Sequence, residues 1–206
     1  MQRSFLEQEL PDGLRYRPEF ISVAEEQELL DRFAGLVFST VEMRGVVAKR
    51  RTAHYGWTYN YEGRTGDPGE PMPSFLLPLR RRIAVWLAVE SDALAEALLT
   101  EYPRGAPIGW HRDAPMFGDV AGISLGATSR MKFRPYVSPK DVAGVRAPRR
   151  TTHELELAPR SAYLITGVAR KDFEHSIPPV EGKRYSITFR TLRGSDRGGR
   201  RRASRR

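Results

Sequence analysis

The second half of the chain alternates. In "RYSITFRTL", residues 184–192, Tyr185, Ile187 and Phe189 fall on one side of an extended segment, and Arg184, Ser186, Thr188 and Arg190 on the other, because successive side chains of a strand point to opposite faces. The pattern predicts a strand with an apolar back and a polar, cationic front. Similar β-prone runs follow one another from about residue 94, separated by Gly and Pro: "ALLTEY" (97–102), "VAGISL" (120–125), "SRMKFRPY" (129–136), "THELELA" (152–158) and "SAYLITG" (161–167). Two helical patterns precede them. "SVAEEQELLDRFAGLV" (22–37) places Ser22 and Glu25 in capping-box spacing and Leu29, Leu30, Phe33 and Leu36 at helical intervals. "SFLLPLRRRIAVWLAVE" (74–90) has Pro78 near its first turn and a stripe of Leu79, Ile83, Trp86 and Leu87 behind Arg80, Arg81 and Arg82, read as a solvated face. Helices followed by many short strands predict an α+β domain whose β part is a sandwich or jelly roll. The stretches 59–74 and 137–150 read as Gly/Pro-rich or basic loops.

A chain of 206 residues with 40% hydrophobic content suits one domain. Cysteine is absent, which excludes disulfides, zinc–thiolate sites and thiol nucleophiles. Any metal must be held by His and carboxylates. The net charge of +9 is uneven, with +6 of it in "RGSDRGGRRRASRR" at 193–206. That segment is expected to be a disordered basic tail, either attracting the phosphates of a nucleic acid or serving as a solubilising end. Neither a signal peptide nor a long apolar run is present, so the expectation is a cytoplasmic protein with no membrane span.

In "GWHRDAP" (109–115), His111 and Asp113 lie two apart and share one side of an extended segment, with Arg112 facing away. Taken alone, such a pair is as readily a surface pair or a His–Asp hydrogen bond. Three other histidines are available as a further ligand. His175, in "RKDFEHSIPP", stands where prolines end a strand and a pocket can open. His153 shares the side of Leu155 and Leu157 and reads as a core residue or as support for a ligand, while His54 belongs to a substrate wall or a packed hydrogen bond. Two His and one Asp leave about three octahedral positions open, the facial triad of non-haem Fe(II) oxygenases. Arg184 and Arg190, six apart on one strand face, can reach into one cavity and answer a small dicarboxylate such as 2-oxoglutarate; the alternative is cross-strand salt bridging.

The order of "EYPRGAPIGWHRD", "LAPRSAYLITGVARKDFEH" and "RYSITFR" resembles the AlkB family of Fe(II)/2-oxoglutarate dioxygenases, closely over the last half of the chain and more loosely over the first. The resemblance implies a double-stranded β-helix, or jelly roll, with N-terminal helices packed on it, in a single domain at 1–192. It implies Fe(II) held by His111, Asp113 and His175, with Arg184 on the distal carboxylate of 2-oxoglutarate, Arg190 on its metal-side carboxylate, and a hydrogen bond from Tyr102 to the co-substrate. Two departures stand out. The family usually has Asn two residues before that tyrosine, and this chain has Thr100, a shorter hydroxyl. Nucleobase-repairing members commonly carry an acidic residue two after the iron Asp, and this chain has Pro115, so the adduct stays open, with etheno bases, modified RNA and non-nucleic substrates among the options.

"RRTAHYGWTYNYEGR" (50–64) interleaves Arg50, Arg51 and Arg64 with Tyr55, Trp57, Tyr59 and Tyr61, a mixture suited to stacking a flipped base and holding its backbone. In the family this region is a nucleotide-recognition lid, here 50–73, with Tyr55, Trp57, Tyr59 and Arg51 as expected substrate contacts. The competing reading is an edge strand that packs at least half of those rings on the core. The function so implied is DNA repair or RNA dealkylation by a monomer. An N-alkyl carbon is hydroxylated as 2-oxoglutarate is decarboxylated to succinate and CO2, and the resulting hemiaminal releases an aldehyde. The alternatives are the same chemistry on a protein or small molecule, and a non-catalytic basic module that binds nucleic acid through its tail.

Overall fold

The alternating segment 184–192 becomes the middle of the fold. The structure, a computed structural model, describes residues 10–43, 45–60, 65–138 and 151–194. In chain order its elements are β1 (Leu14–Arg17), α1 (Val23–Ala34), β2 (Ser39–Met43), β3 (Val46–Asn60), β4 (Thr65–Pro68), α2 (Leu77–Leu87), β5 (Leu94–Tyr102), β6 (Ile108–His111), β7 (Phe117–Gly126), β8 (Ser129–Pro135), β9 (His153–Leu157), β10 (Ala162–Ile165), α3 (Gly167–Lys171), β11 (Phe173–Ile177) and β12 (Arg184–Leu192). The larger sheet runs β1-β10-β7-β12-β5-β3-β2, with β4 paired to β3, and the smaller runs β6-β11-β8-β9. β12 is antiparallel to both β5 and β7. Two antiparallel sheets with α1 and α2 on one side make the α+β jelly roll expected from the strand pattern.

The two faces of β12 bury different things. Ile187 and Phe189 join Leu99 and Ile123, Leu29 and Phe33 of α1, and Leu79 and Ile83 of α2 in one core between the large sheet and the helices. A second core lies between the sheets and contains Tyr102, Met131, Phe133, Leu157, Tyr163 and Ile165. Each fully buried Leu, Ile or Phe contributes about 1.5–3 kcal/mol, so the two cores fix the register of β12 and with it the direction of Arg184 and Arg190.

α1 starts as its sequence demands, with Glu25 N–H donating to Ser22 Oγ at 3.2 Å and Ser22 N–H donating to Glu25 Oε2 at 2.7 Å. It stops at Ala34 rather than continuing to 37, because Gly35 N–H turns back to the Arg32 carbonyl and Leu36 N–H to that of Phe33. α2 starts at Leu77 after a 3-10 turn over Ser74–Leu76, and ends where Ala88 takes a left-handed conformation. The arginine run on α2 is not a uniformly solvated face. Arg80 bonds the Leu94 carbonyl at 3.0 Å and pairs with Asp92, and Arg82 bonds Glu25 and the Phe20 carbonyl.

Strands also begin well before residue 94. β1, β2 and β4 are short edge or hairpin strands, and the 59–74 stretch expected to be a loop contains β4, whereas β3 runs through 50–60 between β2 and β5 rather than along an edge. Tyr61 and Arg64, residues 139–150 of the second loop and residues 195–206 of the basic tail lie outside the described residues. Among the described residues no helix is long and apolar enough to cross a membrane.

Candidate active site

β11 lies between β6 and β8, and the register puts His175 opposite both His111 and Phe133, with Phe133 opposite His153. One row therefore crosses the smaller sheet. The His111 and His175 rings are 4.3 Å apart between centroids. The Phe133 ring, 5.7 Å from His175, separates His153 from them, and His153 sets its ring edge-on to Phe173 instead. The structure thus leaves His153 out of the pair. His111 Nδ1 lies 2.9 Å from the Gly109 carbonyl. A carbonyl only accepts, so Nδ1 carries the proton and Nε2 keeps its lone pair for a metal.

Asp113 follows β6 in a loop, and its Oδ2 is 3.8 Å from His175 Nε2. Its other oxygen is taken: Arg190 donates to Oδ1 from Nε at 3.0 Å and from Nη2 at 2.7 Å. Oδ2 is buried with no hydrogen-bond partner. Burial favours the neutral acid, yet Arg190, His175, His111 and Arg170 together hold the carboxyl well below the usual carboxylate range. Burial also pushes His175 down to about 3, with His111 acting in the same direction and Asp113 against it. An anionic Asp113 carboxylate beside a neutral His175 imidazole is the protonation state that a divalent cation needs.

The loop is held from below by Arg170, on α3. Its guanidinium is buried and donates to the backbone carbonyls of Gly118 (2.7 Å), Phe117 (2.8 Å), Ala114 (3.1 Å) and Asp113 (3.5 Å). Nothing in "GVARKDFEH" marks this arginine in the sequence, since its acceptors are main-chain groups contributed by a loop some fifty residues away.

The polar face of β12 lies between the sheets. Cross-strand register makes rows of Tyr102–Arg184–Gly126, then Thr52–Thr100–Ser186–Ser124, then His54–Leu98–Thr188–Gly122–Tyr163, then Glu96–Arg190–Val120. Arg184 is 0% exposed. Its Nε bonds Ser124 Oγ at 3.1 Å, its guanidinium carbon stands 4.8 Å from the Tyr102 ring centre, and Nη1 and Nη2 have no partner. A buried guanidinium with both terminal nitrogens unanswered costs several kcal/mol, and a carboxylate with two oxygens is the group that relieves it. Thr100 is buried one row away among hydroxyls. Tyr163 lies across Gly122, where a Cβ would come within 2.1 Å of its ring, and burial pushes its phenol up to about 12. Ser124, Tyr163, Glu96 and Arg170 were not singled out in the sequence. Glu96, an acid between apolar neighbours in "LAEALL", carried a legible signal, because a buried carboxylate needs a cation.

β3 divides at Gly56. Up to that residue it pairs with β5, and from Trp57 it pairs with β4 in a hairpin. Gly56 has φ +78°, and a Cβ there would meet the Ala95 carbonyl oxygen at 2.1 Å, so the position requires glycine. Two of the expected substrate contacts are corrected by the register. Tyr55 packs against the helix-side core, and Arg51 on that same face bonds Glu101 at 2.6 Å, so neither stands between the sheets. His54 does. Beyond Gly56 the hairpin lies over the loop after Asp113: a Cβ on Gly66 would touch Met116, with Trp57 Cε3 3.6 Å away. Tyr59 occupies the hairpin opposite Gly66. A surface cleft of about 330 Å³, lined by Arg17, Phe20, Arg81, Arg82 and Val85, includes none of these residues.

The residues fit a divalent metal and a dicarboxylate. Two cis ligands, each about 2.1 Å from one ion, stand roughly 3 Å apart, so 3.8 Å between His175 Nε2 and Asp113 Oδ2 is within an ångström of closure. Among the described residues no three His, Asp or Glu side chains yet close on a single point. The fit therefore rests on orphaned atoms: Asp113 Oδ2 for the metal, and Arg184 Nη1 and Nη2 for the dicarboxylate.

Comparison with known proteins agrees. The family model of the 2OG-Fe(II) oxygenase superfamily matches residues 13–190. An alkylated DNA repair protein ALKBH8 homolog of Arabidopsis thaliana is 33% identical over 184 residues, covering 81% of this chain and 51% of its own length. A probable RNA/DNA demethylase ALKBH6 of Danio rerio is 26% identical over 179 residues, covering 85% of this chain and 74% of its own. The chain thus spans about half the length of the Arabidopsis relative. The solved structure of OsALKBH1 shares the fold, with a TM-score of 0.67 at 14% identity, over 89% of this chain and 99% of that one. From its motifs, its fold and these matches, the chain belongs to the 2OG-Fe(II) oxygenase superfamily and is similar to its AlkB-type members.

Proposed function

We propose that this chain oxidatively dealkylates N-alkylated nucleobases in DNA or RNA. Dioxygen and 2-oxoglutarate are consumed, one oxygen atom enters succinate as CO2 leaves, and the other hydroxylates the N-alkyl carbon; the hemiaminal then releases an aldehyde and the restored base. Fe(II) with 2-oxoglutarate, when bound, supplies the dioxygen activation and hydrogen abstraction. The rest falls to the chain. His111, Asp113 and His175 hold the ion. Arg184 and Tyr102 would take the distal carboxylate, Thr100 lines the same wall, and Arg190, engaged by Asp113 and Glu96, fixes the ligand carboxylate. The β3–β4 hairpin with Trp57 and Tyr59 covers the substrate and excludes water.

The observation that carries the nucleobase reading is the hairpin that begins at Gly56 and reaches the loop after Asp113 through Gly66 and Met116, with the Trp57 ring beside that contact. A planar aromatic surface next to a metal site suits a flipped base, because every base offers a π face. Two of the relatives are described as an alkylated DNA repair protein homolog and a probable RNA/DNA demethylase, which supports the same class. A protein or small-molecule substrate is the second reading. It is favoured by Pro115, which is exposed beside Asp113 and offers a base neither charge nor donor.

The test is mass spectrometry of products from alkylated DNA and RNA oligomers, with the protein loaded anaerobically with iron. Aldehyde release that requires 2-oxoglutarate and disappears in His111→Ala supports nucleobase dealkylation. Turnover of 2-oxoglutarate with no oxidised base in any oligomer overturns it in favour of the second reading.

A further inference from the structure

His54 ends a chain of contacts that begins at the metal site. Arg190 joins Asp113 Oδ1 to Glu96 Oε2, each at 2.7 Å, and Glu96 Oε1 lies 3.3 Å from His54 Nδ1. Glu96 is 1% exposed and has both oxygens engaged, so it has nothing left to offer a substrate. Its effect on His54 is different. A carboxylate oxygen accepts the hydrogen on Nδ1, so in the neutral form of the ring Nε2 is the nitrogen left with a lone pair. The ring is anchored at one nitrogen, while the side chain remains 40% exposed.

The position of that lone pair is informative. His54 stands on the face of β3 that turns between the sheets, two residues before the strand leaves at Gly56 to form the hairpin. An acceptor therefore sits at the root of the hairpin, with Trp57 just beyond it. The loop after Asp113 offers only Ala114, Pro115 and Met116 there, apolar side chains that give a base edge no hydrogen-bond partner.

We propose that His54 Nε2 is the hydrogen-bond acceptor that reads an N–H edge of the substrate base, so that the preferred substrate is an alkylated base that keeps its exocyclic amine. The assignment rests on the nucleobase reading above. Glu96 is the positioning residue, selecting the tautomer and holding the ring. Once a bound base covers His54, a substrate lacking the N–H leaves its acceptor unpaired, and that difference sets the discrimination.

The test compares matched oligomers carrying 1-methyladenine, which retains the exocyclic nitrogen as a donor, or 1,N6-ethenoadenine, in which that nitrogen is closed into a ring and has no N–H. The readout is the ratio of kcat/KM for the two adducts, with thermal midpoints confirming that each variant folds. His54→Phe is expected to lower the ratio about 10- to 100-fold, the loss of one hydrogen bond to a desolvated partner. His54→Gln, which keeps an acceptor, is expected to restore part of it. A ratio unchanged in His54→Phe, whether both activities fall together or neither moves, overturns the role of His54 while leaving nucleobase oxidation standing. A wild type that prefers the etheno adduct overturns it as well. A wild type that oxidises neither adduct while still decarboxylating 2-oxoglutarate overturns the nucleobase reading and this assignment together.

Discussion

Arg190 and Asp113 meet through two nitrogens and a single oxygen: Nε at 3.0 Å and Nη2 at 2.7 Å both donate to Oδ1. The pairing sorts the two carboxylate oxygens by task. Oδ1 belongs to the arginine, and Oδ2, 3.8 Å from His175 Nε2 and buried without a partner, is the one left for an ion. The same guanidinium reaches Glu96 with its third nitrogen, so one cation balances two buried carboxylates.

Removing that cation should destabilise the fold strongly. Arg190→Met leaves Asp113 and Glu96 buried with their shared partner gone, a loss of about 3–5 kcal/mol for a broken buried pair. The deficit should shrink in acid. The folded carboxyl of Asp113 is held low against the raising effect of burial, chiefly by Arg190. Without Arg190, burial drives it up, and the group neutralises as pH falls. Urea unfolding of the two metal-free proteins at pH 7 and pH 5 checks this; a deficit that grows toward pH 5 contradicts it.

His175 gives the metal-free wild type a pH dependence of its own. Its folded value is about 3 against an ordinary 6.5, lowered by burial first and His111 next. The unfolded chain takes up a proton that the folded one refuses, so the stability present above pH 6.5 is lost steadily as pH falls toward 3. The slope is on the order of 1.4 kcal/mol per pH unit for one proton. His175→Gln should remove it, and unfolding free energies measured between pH 7 and pH 4.5 should diverge by about that slope. Parallel curves for the two proteins would show that His175 is not buried in its neutral form.

How much of this was legible depended on whether the cause was local. The alternation of residues 184–192 placed Arg184 and Arg190 on one face, because pleat parity needs only the segment itself, and the Ser22–Glu25 capping box is likewise a four-residue event. Tyr55, Arg51 and Trp57 look alike in sequence, yet the left-handed Gly56 interrupts the strand between them. Tyr55 and Arg51 go to the helix side and Trp57 to the hairpin. No period-two reading survives such an interruption. Glu96 and Arg170 depend on partners 94 and 52–57 residues away in the chain, which spacing within a motif does not reveal.

Arg170 should matter to the metal without touching it. Its guanidinium satisfies the carbonyls of residues 113, 114, 117 and 118, and each buried carbonyl left without a donor costs about 1–3 kcal/mol. Arg170→Met should therefore lower the thermal midpoint and also weaken Mn(II) binding, because the segment carrying Asp113 loses its tether. Arg170→Lys, with a single ammonium in place of the fork, should fall between the two. Calorimetric Mn(II) titration reads the second effect, and unchanged affinity in a folded Arg170→Met would confine the residue to stability.

Arg184 should behave in the opposite way in the absence of ligand. It is wholly buried, with one bond to Ser124 and two nitrogens unanswered, so the ligand-free protein carries a desolvated charge that nothing fully compensates. Replacing such a charge with an apolar side chain of similar volume is often neutral or stabilising. Arg184→Met is therefore expected to match or exceed the wild-type thermal midpoint when no 2-oxoglutarate is present. The order should reverse on adding it. A ligand that binds only the folded state at 100 times its dissociation constant stabilises by about 2.7 kcal/mol, and the wild type should show that shift while Arg184→Met shows little or none. Succinate, which keeps the distal carboxylate but lacks the keto group, should still shift the wild type, more weakly. Scanning calorimetry with and without each acid decides the matter. If Arg184→Met unfolds earlier than the wild type in the absence of both acids, the guanidinium already has the partner that the dicarboxylate was meant to supply, and the co-substrate pocket must be sought elsewhere.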